Sequence, residues 1–330
     1  MQTRELGKLG RPVSVIGLGT WQLGSDWGSV DEAEALAVLD AAVQAEVTFF
    51  DTADVYGDGR SEQTIGAFGK ANPDLALTVA TKMGRRVEQV ADAYTLENFR
   101  AWTDRSRANL GMDVLDLVQL HCPPTAVYSS AEVFDALDTL VAEQRILGYG
   151  VSVETCAQAL TALRRPGLAS IQIILNAFRQ KPLEEVLPAA VEAGVAIIAR
   201  VPLASGLLSG KYRHDTRFAE DDHRNYNRAG AVVDVGETFA GVDFDSGVDA
   251  AVEFGDIVAK LDGDVSPAAA ALRWVIDQPG VGTVIPGART AEEARSNAEA
   301  AALPELPAET MAAIRSLYDR RIRPQVHERW

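Results

Sequence analysis

An aspartate, a tyrosine, a lysine and a histidine form the clearest chemical set in this chain. Asp51 and Tyr56 stand in FFDTADVYG (49–57), Lys82 ends LTVATK (77–82), and His121 ends LDLVQLH (115–121). A phenol can hand a proton to a substrate oxygen when a nearby ammonium favours the phenolate, and a carboxylate can hold that ammonium in place. An imidazole adds a further hydrogen-bonding group. Taken singly, each has a plain alternative: a solvated lysine, an aspartate capping a turn, a tyrosine used for packing. The signal lies in their shared position, since each closes or directly follows a short apolar run that reads as a buried strand.

Such runs recur along the chain. Strands are expected at 13–18, 47–50, 75–80, 114–120, 148–153, 171–175, 195–199 and 282–285. Helical stripes fall between them, at 31–44, 61–70, 96–110, 131–143, 156–164, 183–192, 248–261, 267–277 and 290–301, with an appended helix over 308–320. In the first helix, Ala35, Leu36, Leu39, Ala42 and Val43 share one face, and Asp31 stands near the cap. Strands alternating with helices over short connections imply parallel strands and right-handed crossovers. Eight such units suit one closed (β/α)8 TIM barrel spanning 1–330, with a small N-terminal hairpin over its bottom and a long loop, 204–247, after strand seven. Barrels of this type carry their chemistry at the C-terminal strand ends, where Asp51, Lys82 and His121 fall and Tyr56 follows.

Composition narrows the function. The chain has 330 residues, is 47% hydrophobic and 24% charged, and carries a formal net charge of −16. That balance argues against nucleic acid as a partner, which calls for a basic face. It leaves room for a local basic pocket around an anion. Two cysteines, Cys122 and Cys156, lack metal-ligand spacing and read as reduced thiols. No metal site is expected. The opening residues lack the pattern of a signal peptide, and no stretch approaches the ~18 apolar residues of a membrane span. No membrane partner is expected, and the cytoplasm is the expected location. Monomer and homo-oligomer both remain open.

Seven segments carry a resemblance. They are GLGTWQLG (17–24), FFDTADVYGDGRSEQTIG (49–66), ATKMG (80–84), LDLVQLHCP (115–123), GVS (150–152), VPLASGLLSGKY (201–212) and VIPGARTAEEARSNAEA (284–300). In order and spacing the chain resembles the aldo-keto reductase superfamily, bacterial type, over nearly its whole length. The resemblance implies a barrel that binds an extended NADPH or NADP, with NADH possible, without a dinucleotide-binding fold; no GxGxxG follows a strand here. It implies reversible reduction of an aldehyde or ketone, with Tyr56 as general acid, Lys82 lowering its pKa, Asp51 pairing with Lys82, and His121 orienting the carbonyl. Gly19, Thr20 and Trp21 would line the nicotinamide side, and Ser152 and Gln172 would hold its carboxamide. Pro202, Leu203, Ser205 and Lys211 belong to the loop around the pyrophosphate. Gly287, Arg289, Glu293 and Asn297 belong to the grip on the adenosine end. Trp21 and Trp27 would wall the substrate beside Tyr56 and His121.

Three positions depart from the family pattern. Val153 replaces the asparagine that usually follows the GVS serine, which removes a carboxamide contact. Arg200 replaces an aromatic ring that usually stacks on the nicotinamide. A guanidinium can also stack, but its charge disfavours an oxidised, positive ring. Glu293 stands where Arg or Gln often meets the 2′-phosphate; it reads either as half of a capping box with Thr290 or as weakened 2′-phosphate binding. The 204–247 loop is locally basic, with Lys211, Arg213, Arg217, Arg224 and Arg228 beside Tyr212 and Tyr226. It reads either as solvated or as a lid. Two other functions stay open: a cofactor-binding regulatory or redox-sensor subunit with little turnover, and a lyase or epimerase that recycles its cofactor on a sugar-like substrate.

Overall fold

Successive residues of a strand face opposite ways, so a closed barrel sorts each strand into an inner and an outer set. The computed structural model describes residues 1–24, 31–220, 222–231 and 234–330. Eight parallel strands follow chain order around the sheet: β1 (Leu18–Gly19), β2 (Phe49–Asp51), β3 (Thr78–Met83), β4 (Leu115–His121), β5 (Ile146–Ser152), β6 (Leu168–Ile174), β7 (Ala196–Arg200) and β8 (Val281–Val284). Parallel bridges Ile16–Val284 and Gly19–Gly287 join the first strand region to the last. The Gly17 N–H donates to the Val284 carbonyl at 2.8 Å, and the Gly19 N–H to Pro286 at 3.0 Å. The (β/α)8 barrel expected from the alternating runs is therefore present.

The inner set is apolar low in the barrel and polar at the top. Phe49, Ala80, Leu117, Ala169, Ala196 and Ile198 form the inner core together with Leu6 and Val13. Two residues further along the same faces come Asp51, Lys82, Gln119 and Arg200, and two beyond Gln119 comes His121. The registers set them side by side, with Lys82 opposite Gln119, His121 opposite Ser152, and Ser152 opposite Gln172. The outer residues Phe50, Val79, Val118, Leu120, Ile171 and Ile197 pack in the larger core with the surrounding helices. Those helices are locally well started. Asp31 accepts from the Glu34 N–H at 2.8 Å in a capping box, and Thr95 and Thr155 cap Leu96–Leu110 and Cys156–Ala162.

Several boundaries shift from the sequence expectation. The 13–18 run is divided: Pro12–Ser14 pairs antiparallel with Thr3–Glu5 beneath the barrel, Ile16 bridges to Val284, and Leu18–Gly19 pairs with Phe50–Asp51 in the barrel wall. β3 runs later than expected because a turn at Asn72 occupies residues 72–77, and the ladder begins at the Thr78 N–H to Thr48 carbonyl bond of 2.8 Å. Lys82 thus lies within a strand, its charge inside the barrel. The 204–247 stretch is not structureless. It holds a 3-10 turn over Ala204–Ser209, a one-turn helix at His223–Tyr226, and the start of Phe244–Val258, which Asp243 caps earlier than expected. Its aromatic rings pack together, with Phe218, Phe239 and Phe244 at centroid spacings of 5.0–5.8 Å. Arg224 and Arg228 lie over the Phe218 ring, 4.6 and 5.9 Å from its centroid. Much of the local basic charge is therefore used in packing and is not simply solvated.

After helix Ala308–Leu317 the chain continues through Tyr318–Ile322 and Arg323–Val326. Trp330 folds back, its Nε1 donating to Asp234 at 2.9 Å under the Arg179 guanidinium, 3.6 Å above the ring. Among the described residues no helix is long and apolar enough to cross a membrane.

The barrel floor depends on a close approach. At Gly7, φ is +50°, and an added Cβ would stand 2.2 Å from the Ala169 carbonyl oxygen and 2.7 Å from the Ala196 nitrogen. Gly7→Ala is expected to lose about 2–3 kcal/mol of stability through backbone strain and overpacking, read as a lowered denaturant midpoint with an unchanged slope.

Candidate active site

Lys82 is the centre of the site. Its Nζ lies 2.5 Å from Asp51 Oδ1, 2.9 Å from the Thr52 carbonyl and 3.3 Å from the Tyr56 hydroxyl. The other Asp51 oxygen accepts from Gln172 Nε2 at 2.8 Å and Gln119 Nε2 at 3.2 Å. The His121 ring stands edge-on to Tyr56 with centroids 5.9 Å apart, and Trp21 stacks on Tyr56 at 6.3 Å. A turn places Tyr56: its N–H donates to the Ala53 carbonyl at 3.1 Å, and Gly57 follows with φ +57°, packed on Gly24. The four residues singled out in sequence are thus brought together. Trp27 lies outside the described residues.

Burial and charge compete at each group. Burial alone would lower the pKa of Lys82, but Asp51, followed by Tyr56, outweighs it and holds the ammonium above its usual range. Burial pushes the Tyr56 phenol up, and Lys82 opposes this without overcoming it. Lys82 acts in the expected, lowering direction on the phenol, while desolvation penalises the phenolate more and leaves the net direction upward. Tyr56 is consequently a protonated donor at neutral pH. Burial, with the Arg85, Lys82 and Arg200 charges, holds His121 well below the usual imidazole range, so its ring is neutral.

These groups open into a cavity of about 690 Å³, within the size range of small-molecule and cofactor sites. Its walls include Asp51, Tyr56 and His121; Gly19, Thr20, Trp21, Ser152, Gln172 and Arg200; and Pro202, Leu203, Ser205, Lys211, Gly287, Arg289, Glu293 and Asn297. Lys82 sits behind Asp51 and Tyr56. Gln172 is committed to Asp51 through its amide nitrogen, and the Ser152 hydroxyl accepts from the Cys122 thiol at 3.3 Å. Val153 is fully buried and offers the cavity nothing polar. Val201, Ala204 and Ser205 all have φ near +50°. That is unusual for residues with a Cβ, and for branched Val201 most of all. Strain is concentrated where the chain leaves β7 to form the cavity rim.

Arg200 is not a bare cation. It pairs with Glu237, reaches Glu154 Oε2 at 3.0 Å and donates to the Val153 carbonyl at 2.9 Å. Its charge is balanced by two carboxylates. Glu293 reaches one residue further back than a capping box requires. Thr290 Oγ1 accepts from the Glu293 N–H at 3.1 Å, and Glu293 Oε2 accepts from the Arg289 N–H at 2.8 Å. The side chains of Arg289 and Lys211 have no partner among the described residues.

Sequence reasoning missed Gln119, Glu154, Glu237 and Asp54. Gln119 was readable from its i, i+2 relation to His121. Asp54 lies in the motif itself: it is buried, and neither carboxyl oxygen has a side-chain partner among the described residues.

Residues 15–319 match the Aldo/keto reductase family. The chain belongs to the aldo/keto reductase family. An uncharacterised oxidoreductase of Mycobacterium tuberculosis is 33% identical over 319 residues, covering 92% of this chain and 88% of its own length. A probable voltage-gated potassium channel subunit beta of Oryza sativa subsp. japonica is 30% identical over 323 residues, with 91% of each covered. The solved structure of a glycerol dehydrogenase from Gluconobacter oxydans has a TM-score of 0.80 at 28% identity, covering 97% of this chain and 95% of that one. Membership makes this reductase-family chain an NAD(P)(H)-dependent oxidoreductase.

Asp54 gives a test of the site's electrostatics. Burial, then Glu62, raises its pKa to about 7, against opposition from Arg86. The unfolded carboxyl ionises near ~3.9, so between about pH 4 and pH 7 the unfolded state sheds its proton first and folding stability falls as pH rises. Asp54→Asn is expected to remove this slope. Relative to the parent it should gain stability steadily from pH 4 to pH 7, by about 1–3 kcal/mol at the upper end, in urea titrations at each pH.

Proposed function

We propose that the enzyme reduces an aldehyde or ketone to an alcohol, reversibly, with NADPH as cofactor and Tyr56 as the proton donor. The observation that carries this reading is the single ammonium of Lys82 shared between Asp51 and the Tyr56 hydroxyl. The cavity suits such a cofactor. Its walls carry the proton-donating pair Tyr56 and His121 and also two cations, Arg289 and Lys211, without side-chain partners among the described residues. Arg289 immediately precedes the capped start of helix Ala291–Glu299, where free N–H groups favour an anion. Gly19, Thr20, Trp21, Ser152, Gln172 and Arg200 would hold the nicotinamide end. Leu203, Ser205 and Lys211 would hold the pyrophosphate, and Gly287, Arg289 and Asn297 the adenosine end.

When bound, the nicotinamide supplies a hydride to the carbonyl carbon. Tyr56 supplies the proton to the carbonyl oxygen. As that proton leaves, charge builds on the Tyr56 oxygen beside Lys82, and Asp51 keeps Lys82 charged throughout. His121, being neutral, can donate one N–H to the same carbonyl oxygen, and so favours the developing alkoxide. Trp21 covers the Tyr56 ring and limits water at the reacting end. The complete donor set, Asp51, Tyr56, Lys82 and His121, favours turnover over a purely regulatory role. The single-domain reading of 1–330 is supported by the spread of cavity-lining residues, from Gly19 to Asn297.

Tyr56→Phe is expected to lower kcat for carbonyl reduction at least ~100-fold while NADPH affinity, read by fluorescence quenching, stays within about threefold. Retention of parental kcat with chemistry rate-limiting would refute the assignment. Glu293 holds the Arg289 backbone and places a carboxylate beside the 2′-phosphate position. Glu293→Arg is expected to shift the ratio of NADPH to NADH affinity toward NADPH by about 5–20-fold; an unchanged ratio in parallel titrations would leave Glu293 with its capping role alone.

A further inference from the structure

The wall facing Tyr56 contains a charge that neither the proton transfer nor the cofactor grip uses. Glu237 reaches the cavity from the excursion after β7, far in sequence from the other site residues. Its position is firmly set. The Glu237 N–H donates to the Asp234 carbonyl at 3.0 Å, and its own carbonyl accepts from Ser205 Oγ at 3.0 Å. Asp234 Oδ1 in turn accepts from the Gly236 N–H at 2.7 Å and Trp330 Nε1 at 2.9 Å. One Glu237 carboxylate oxygen, Oε1, is taken by Arg200. The other has no partner among the described residues, and the side chain remains 16% exposed.

The cations near Tyr56 are all committed. Lys82 is paired with Asp51. Arg200 is paired with both Glu237 and Glu154. Arg85 pairs with Glu154 and donates from Nε to the His121 carbonyl at 3.1 Å. Among the described residues, a substrate carboxylate entering beside Tyr56 would find no cation there outside an ion pair and would face the open oxygen of Glu237. A substrate hydroxyl would find in that oxygen a good acceptor.

We propose that Glu237 determines substrate class, admitting neutral aldehydes or ketones with a hydroxyl near the carbonyl and turning away those with a carboxylate there. This rests on the carbonyl-reductase reading above. Arg200 is the positioning partner, holding Oε1 so that Oε2 faces the cavity. Discrimination arises from repulsion as much as from attraction: the carboxylate is desolvated without a counter-charge, while the hydroxyl gains a charge-assisted bond.

Three ketones of nearly one shape test this: hydroxyacetone, butanone and pyruvate, each with NADPH. For the parent, kcat/KM is expected to be about tenfold higher for hydroxyacetone than for butanone, and at least about thirtyfold higher than for pyruvate. In Glu237→Gln the pyruvate-to-hydroxyacetone ratio should rise about tenfold or more, as the carboxylate is lost and Arg200 is freed of one partner. Glu237→Asp, which keeps the charge, should retain the parental order. Oxamate, an unreactive carboxylate of pyruvate's shape, is titrated calorimetrically into each NADPH-loaded protein, and should bind at least about tenfold more tightly to Glu237→Gln than to the parent. A parent that reduces pyruvate as well as hydroxyacetone overturns the proposal, and this comparison needs no variant to fold. Equal ratios, or equal oxamate affinity, in parent and Glu237→Gln overturn it too. Absence of reduction for every ketone counts against the reductase reading, whereas the oxamate comparison still decides the role of Glu237.

Discussion

An ammonium buried inside a barrel has to be balanced, and much of this site follows from how Lys82 is balanced. Burial alone would drive its pKa down. Asp51 reverses that, and Asp51 is in turn held by two glutamine side chains on β4 and β6. Lys82 also reaches the Thr52 carbonyl and the Tyr56 hydroxyl. A partner missing from such a set leaves a buried charge exposed to the full desolvation cost. The strand registers that bring Asp51, Lys82, Gln119 and Gln172 to one level of the barrel therefore meet an electrostatic demand as well as a packing one. The apolar layer below them supplies the low dielectric in which the balance matters.

Polar groups of the same kind are arranged differently a few ångströms away. Around Arg200, two arginines and two glutamates share charge. A position that carries an aromatic ring in the family pattern is filled here by a guanidinium whose charge is cancelled. A planar, neutralised group can line the cavity wall without repelling a positive ring. At Asp54, by contrast, a carboxyl stands buried with no side-chain partner among the described residues. Its raised pKa is the expected response to that isolation.

The barrel and the proton-donor set were legible in the sequence because both follow from local rules. Alternating apolar runs specify strands and helices, and strand ends specify where chemistry sits. Asp51, Tyr56, Lys82 and His121 also fall in dense motifs, so their meeting could be read before any coordinates. The direction of the Tyr56 pKa could not. A sequence shows that Lys82 is close in pattern, but the opposing desolvation depends on how completely the cavity closes. Glu237 was invisible for a related reason. It lies in a stretch without periodicity and meets Arg200 only because Ser205, Asp234 and Trp330 fix the chain there. The split of the 13–18 run was hidden as well, because continuous apolarity does not reveal that one half belongs under the barrel and the other half in its wall.

The seam between β1 and β8 carries a consequence for how the molecule assembles. It joins Gly19 to Gly287, so it is among the contacts most distant along the chain and the slowest to find by chain search. The residues just past each side of the seam, Thr20 and Trp21 on one and Arg289 and Asn297 on the other, line opposite parts of one cavity. Closing the sheet and completing the cavity are then a single event. A ligand that spans the cavity bridges the seam directly and binds only the closed form. By mass action it adds its binding free energy to the stability of the closed sheet. In this barrel, occupancy of the site and integrity of the sheet are two readings of the same equilibrium.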